Sequence, residues 1–149
     1  MNKIILSIAA LVFSVAAMAQ LKVDSLMKVN TEKHDFGKIK QNVPVNYSFE
    51  LTNTSDKPLV VENSWASCGC TTPDKITEPI LPGKTTKLKV TYNAAAVGAI
   101  NKDVYVKLAG VEQPKTLHIT GEVLTTEAYA TYVKDKGKTT KDSKDSKNN

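Results

Sequence analysis

Apolar residues recur at every second position through much of this chain. Val45, Tyr47, Phe49 and Leu51 alternate with polar residues, as do Thr86, Leu88, Val90 and Tyr92, then Val104, Val106 and Leu108, then Leu117 and Ile119. An extended strand sends successive side chains to opposite faces, so this period buries one face and wets the other, as antiparallel sheets do. Further strands are expected at Val29–His34, Ile39–Val43 and Leu59–Asn63. The punctuation agrees: Asn53–Pro58 reads as a turn, Leu81–Lys84 as a tight one opening a strand, and Ala109–Glu112 as the close of a hairpin. No long window has helical periodicity, and Thr126–Val133 offers one or two marginal turns at most. The pattern predicts an all-β fold, an antiparallel β-sandwich of about seven strands with Greek-key connections; a small barrel is the structural alternative. The antibody-type bridge is excluded, because Cys68 and Cys70 lie too close in sequence to join opposite sheets.

The two ends of the 149-residue chain differ from this middle. Residues 1–19 have the order of a secretory signal peptide: Lys3, an apolar run from Ile4 to Ala17, and the cleavage site Ala17-Met18-Ala19. The run is shorter than the roughly 20 residues of a membrane-spanning helix. No Cys follows the cleavage site, so a lipid anchor is not expected. The product is expected to be periplasmic or secreted, without a membrane span, in an oxidising compartment. Residues 20–28 form a lead-in, 29–124 the sandwich domain and 125–149 a Lys-rich C-terminal segment, expected to be disordered from Lys134 because it offers nothing to bury.

All 20 basic residues are Lys, which argues against a nucleic-acid partner, whose bidentate contacts favour Arg. Six Lys and three Asp lie in Lys134–Asn149, so +3 of the net +5 belongs to that segment and the domain is close to neutral. A solvated tail is the plain reading of that charge; weak adhesion to acidic polymer or lipid is the other.

Four blocks in order resemble a known family: His34-Asp35-Phe36-Gly37-Lys38-Ile39, then Phe49 to Thr54 with Lys57-Pro58-Leu59, then Ser67-Cys68-Gly69-Cys70-Thr71, then Pro79-Ile80-Leu81-Pro82-Gly83-Lys84. Over about residues 30–123 the chain resembles domain-of-unknown-function family 1573, common in exported proteins of Bacteroidota. The resemblance implies an immunoglobulin-like sandwich related to sperm-protein and cilia-associated modules, and no defined activity. Ser55 stands where that family usually has Gly, and Ile100 where it has Phe.

Cys68-Gly69-Cys70 is the one constellation with evident chemistry. Alternate residues of an extended strand share a face with Cα atoms about 6.6 Å apart, at the upper limit of disulfide geometry. Gly69 can draw them closer. The spacing permits a disulfide or redox pair, two thiolates aimed at one metal, or cysteines that simply pack. A bridge closing so small a ring stabilises by only ~1.5 kcal/mol in the chain-entropy account and should be comparatively reducible. Metal binding would suit Cu(I) or Zn(II) at Cys68 and Cys70, with His34, His118 or Met27 as the further ligands the sequence offers; His34 is the strongest of these. His118, between Leu117 and Ile119, is expected to face solvent.

No catalytic set is recognisable, so the chain is not expected to be an enzyme, and no cofactor is expected. Trp65 has two readings, a core side chain beside the cysteine loop or a ligand platform next to it. Asn53-Thr54-Ser55 matches the glycosylation sequon but falls in a turn. The function expected is that of an exported module binding a protein or cell-envelope partner, with Ser67, Gly69 and Thr71 on the long connection Ser67–Pro79, and Trp65 just before it, as candidate contacts. The alternative is a metal-binding or redox accessory protein acting through Cys68 and Cys70.

Overall fold

The computed structural model describes residues 22–145, with side chains as far as residue 136. The leader expected at Met1–Ala19 lies outside the described residues. In chain order the elements are α1 (Val23–Leu26), β1 (Met27–Val29), β2 (Lys33–Lys40), β3 (Val45–Asn53), β4 (Val61–Ala66), β5 (Thr71–Pro73), β6 (Thr85–Tyr92), β7 (Gly98–Leu108), β8 (Lys115–Leu124) and α2 (Thr126–Asp145). The strands form two four-stranded sheets, β1-β3-β6-β5 and β2-β8-β7-β4.

The alternating residues close the space between them. Phe49 and Leu51, Leu88 and Val90, Val104 and Val106, and Leu117 and Ile119 are all 0% exposed. Burying each such side chain contributes about 1.5–3 kcal/mol, and this term holds the two layers together. The intervening residues face water, so the molecule is the β-sandwich that the period predicts.

The structure refines the expected strands where the chain changes sheets. The run expected at Val29–His34 is two strands, because β1 pairs with β3 in one sheet whereas β2 pairs with β8 in the other. This early crossing delivers β2 beside the start of β8, so that pair is parallel while the remaining pairs are antiparallel. The strand expected at Ile39–Val43 stops at Lys40, where Asn42 takes φ 60° and the Val43 N–H turns back to the Lys40 carbonyl. Leu59 makes only an isolated bridge to Ile80. The additional strand, β5, lies inside the connection expected to be a loop.

Among the polar groups taken inside, Asn53 and Lys115 each bring partners from other parts of the chain. Asn53 is 0% exposed. Its Nδ2 donates to the carbonyls of Lys57 and Ile80, both at 2.7 Å, and its Oδ1 accepts from the N–H and hydroxyl of Ser55. This rules out the sequon reading in the folded chain, since the amide that a glycan would need is buried and engaged. Lys115 points inward from β8, and its ammonium donates to Asp24 and Glu32. Burial works against the charged form, but the hydrogen bonds and charges of the two carboxylates together hold the Lys115 pKa above its ordinary value. The lead-in is thereby tied to the sandwich, and Val23 and Met27 join the core.

Lack of order is expected from Lys134, yet α2 continues through that boundary to Asp145. Helical hydrogen bonds are local and need no apolar surface. The start is capped by the Thr125 hydroxyl, which accepts from the Ala128 N–H. Tyr132 lies within 5.3 Å of the ammonium groups of both Lys38 and Lys136. Composition registers missing burial but not these contacts. Among the described residues no helix is long and apolar enough to cross a membrane.

Candidate functional site at the corner between the sheets

Strand β4 belongs to one sheet and β5 to the other, and Ser67–Cys70 is the bend that carries the chain across. Sandwich corners need such bends, because a strand cannot leave its ladder without giving up hydrogen bonds. Here they are replaced one by one. The Ser67 N–H donates to the Asp103 carbonyl at 2.9 Å, and the Asp103 N–H returns to Ser67 Oγ at 3.1 Å. The Thr71 N–H closes a turn on the Cys68 carbonyl, and the Asn93 N–H takes the Cys70 carbonyl.

The turn brings Cys68 and Cys70 to disulfide distance, with Cα atoms 5.3 Å apart rather than the separation of an extended pair. Both cysteines are half-buried, and Cys70 packs against the core. Thr71 is 4% exposed, with its Oγ1 3.6 Å from Cys68 Sγ and 3.8 Å from Cys70 Sγ. Thr71 is thus a support under the sulfurs rather than a surface contact, which corrects its expected role. Gly69 is exposed, its φ lies outside the left-handed range, and a Cβ there would meet open space. The turn therefore does not need the conformational freedom expected of this glycine.

The structure does not bring His34 to the cysteines. Strands β2 and β4 are opposite edges of one sheet with β8 and β7 between them, three strand spacings or about 14 Å apart. His34 instead stacks on Tyr47 with ring centroids 3.6 Å apart, with Phe36 edge-on at 4.7 Å. Burial lowers its pKa from the ordinary histidine value, against a smaller opposing pull from Asp35. Met27 is spent in the core. Among the described residues no group of three or more His, Cys, Asp or Glu side chains is placed to hold a metal.

Trp65 settles between its two readings. It projects from the outer face of β4, 38% exposed, and lies offset against its cross-strand partner Tyr105 with centroids 5.3 Å apart. The same face continues into a group that sequence reasoning missed. His118 Nδ1 donates to Asp103 Oδ1 at 2.6 Å, and the Tyr105 hydroxyl lies 3.4 Å from Asp103 Oδ2. The signal was present: the inward set Val104, Val106, Leu117 and Ile119 implies that Asp103, Tyr105 and His118 point outward. Their adjacency needed the β7–β8 register, which pairs Asp103 with His118.

The fold has relatives among solved structures. A protein of unknown function from Porphyromonas gingivalis W83 superposes with a TM-score of 0.56 at 15% identity, over 65% of this chain and 46% of that one. The ASH/PapD-like domain 7 of human CEP192 gives 0.52 at 10% identity, over 68% of this chain and 87% of that domain. The SrpA adhesin of Streptococcus sanguinis gives 0.52 at 8% identity, over 72% and 61%. The chain thus spans about half the length of the Porphyromonas protein, and these likenesses establish the immunoglobulin-like, PapD-like sandwich. No curated protein matches the chain. The family model described as "Protein of unknown function (DUF1573)" matches residues 27–123, from β1 through the last core residue of β8, and the chain belongs to that family.

Proposed function

We propose that the chain is an exported, non-enzymatic sandwich module that binds a protein or cell-envelope partner through the β4–β5 corner and the outer face beside it. The observation that carries this reading is Trp65, a large aromatic 38% exposed next to a hydrogen-bonded turn. Aromatic residues on a rigid surface are the usual anchors of binding faces. Ser67 and Gly69 are exposed at its side and complete the candidate surface. The leader pattern at residues 1–19 supports export.

Strand addition at a sheet edge is the less favoured mode. Edge strands β1 and β5 have three residues each, β5 ends in Pro73, β2 carries lysines and a register shift at Asp35/Lys38, and β4 has a register shift at Val61/Asn63. Such features blunt edges. Co-sedimentation with isolated cell-envelope fragments tests the proposal. Wild type and Lys87→Ala, on the opposite sheet, should sediment with the fragments while Trp65→Ala stays in solution. Equal behaviour of all three would count against it.

A second reading, thiol redox or metal chemistry at the corner, is favoured by the half-buried sulfur pair held on a surface turn. It predicts that the purified chain loses two hydrogens in intact mass relative to its reduced form. It also predicts that the reduced chain, but not Cys68→Ser, binds one equivalent of Cu(I) or Zn(II).

A further inference from the structure

The outer face of β4, β7 and β8 has a charge pattern that narrows the partner. The charged side chains that β4, β7 and β8 turn outward are matched: His118 with Asp103 at 2.6 Å, Lys107 with Glu62 at 3.9 Å, and Glu122 with Lys38 at 3.8 Å, while Lys33 stands exposed on β2 beside His118. A charged polymer would have to break these pairs to gain more than Lys33. An apolar helix fits no better, because it would strip water from the polar groups around the aromatic pair without replacing their hydrogen bonds. What remains is an exposed Trp65–Tyr105 surface bordered by the matched pairs Asp103–His118 and Lys107–Glu62, with Asn101 and Thr120 paired one rung further along β7 and β8.

Resting on the reading of this face as the partner-binding surface, we infer that its ligand is an uncharged glycan. A pyranose ring has an apolar C–H face that lies against an aromatic ring and an equatorial rim of hydroxyls that needs fixed hydrogen-bonding groups. Trp65 and Tyr105 supply the first. Asp103 and His118 supply the second. Asp103 is held by His118 Nδ1 on one oxygen and sits beside the Tyr105 hydroxyl on the other. His118 Nε2, the ring nitrogen that Asp103 does not engage, offers a further polar contact for a sugar hydroxyl. These groups stand on strands rather than loops, so they are ordered before the ligand arrives.

Affinity electrophoresis of the full chain through gels containing a neutral β-glucan, a neutral mannan or a neutral galactan tests this, with dextran sulfate as the charged comparison. Trp65 is the sole tryptophan, so its emission reports the site directly. At least one neutral polysaccharide should retard the chain and shift Trp65 emission, with little change at 0.5 M salt. Trp65→Ala and Tyr105→Ala should each weaken retardation by about tenfold or more, the loss usual for an aromatic anchor. His118→Gln, which can keep one hydrogen bond, should weaken it less. Circular dichroism checks that each variant folds. Retardation by dextran sulfate alone, or by none of the polymers, overturns the inference. If the neutral polymers fail while Trp65→Ala still abolishes co-sedimentation with envelope fragments, the glycan is wrong and the binding face stands.

Discussion

Replacing Asn53 by Asp exchanges one nitrogen for one oxygen at the fully buried end of β3. The amide gives its two protons to the Lys57 and Ile80 carbonyls at 2.7 Å, and the Ile80 bond is fully buried. An aspartate would set a negative oxygen against both carbonyls, while the Ser55 donors on the other oxygen remain served. Both carbonyls keep a second donor, the Leu59 N–H on Ile80 and the Ser55 hydroxyl on Lys57. The cost is therefore that of a buried charged oxygen left without donors of its own, about 1–3 kcal/mol or more. The upper half of that range, about 2–3 kcal/mol, is a sizeable share of the roughly 5–15 kcal/mol that holds a domain folded. At about 4–8 °C per kcal/mol, the melting midpoint should fall by about 8 °C or more. Urea unfolding followed by circular dichroism and Trp65 emission gives the free energy directly. The loss should shrink as the pH is lowered toward 4, because a protonated carboxyl can donate to one of the two carbonyls. Thr54→Ala, at an exposed neighbour, should change stability by less than about 0.5 kcal/mol. A loss below about 1 kcal/mol for Asn53→Asp, or one independent of pH, would refute the assignment of this amide as the link between the β3 end and the Leu59–Ile80 bridge.

Gly121→Ala should destabilise by at least about 2 kcal/mol in urea, since φ there is +150° and the new Cβ would stand 2.8 Å from the Gly37 carbonyl oxygen. Gly69→Ala, by contrast, should leave stability unchanged or raise it slightly, by up to about 1 kcal/mol, in the same assay. The Lys115 pKa is raised on folding, so its contribution is complete below the ordinary lysine value of 10.5 and is lost as pH rises through the higher folded value. Thermal melts of Lys115→Met should therefore lack part of the wild-type loss at strongly alkaline pH. For His34 the shift is downward, so its contribution is present above the ordinary 6.5 and is lost as pH falls below it. His34→Gln should flatten the fall in melting midpoint between neutral pH and pH 5.

The sandwich was legible because its core is written at period two, and Phe49, Leu88, Val106 and Ile119 each occupy the inward position that their neighbours imply. Turns were legible where a backbone demand selects the residue, as at Gly83 and Gly110 with φ of 71° and 76°. Strand β5 was hidden because its identity depends on a distant partner, Tyr92 opposite Thr71, rather than on its own three residues. The parallel direction of β2 was hidden for the same reason. At the site, the sulfur pair could be foreseen from spacing alone. Trp65 could not be placed, since a bulge near Asn63 changes the parity that would have assigned its face. The Asp103–His118–Tyr105 group is visible in sequence only as outward positions, and its assembly is a property of register.

Site-directed photocross-linking in isolated envelopes measures the central proposal most directly, with a benzophenone amino acid placed at Trp65, at Gly69 or at Lys87 on the opposite sheet. Adducts of one defined mobility from positions 65 and 69, and none from 87, are the predicted result. Adducts from 87 alone, or equal yields from all three positions, would contradict a partner seated on the corner.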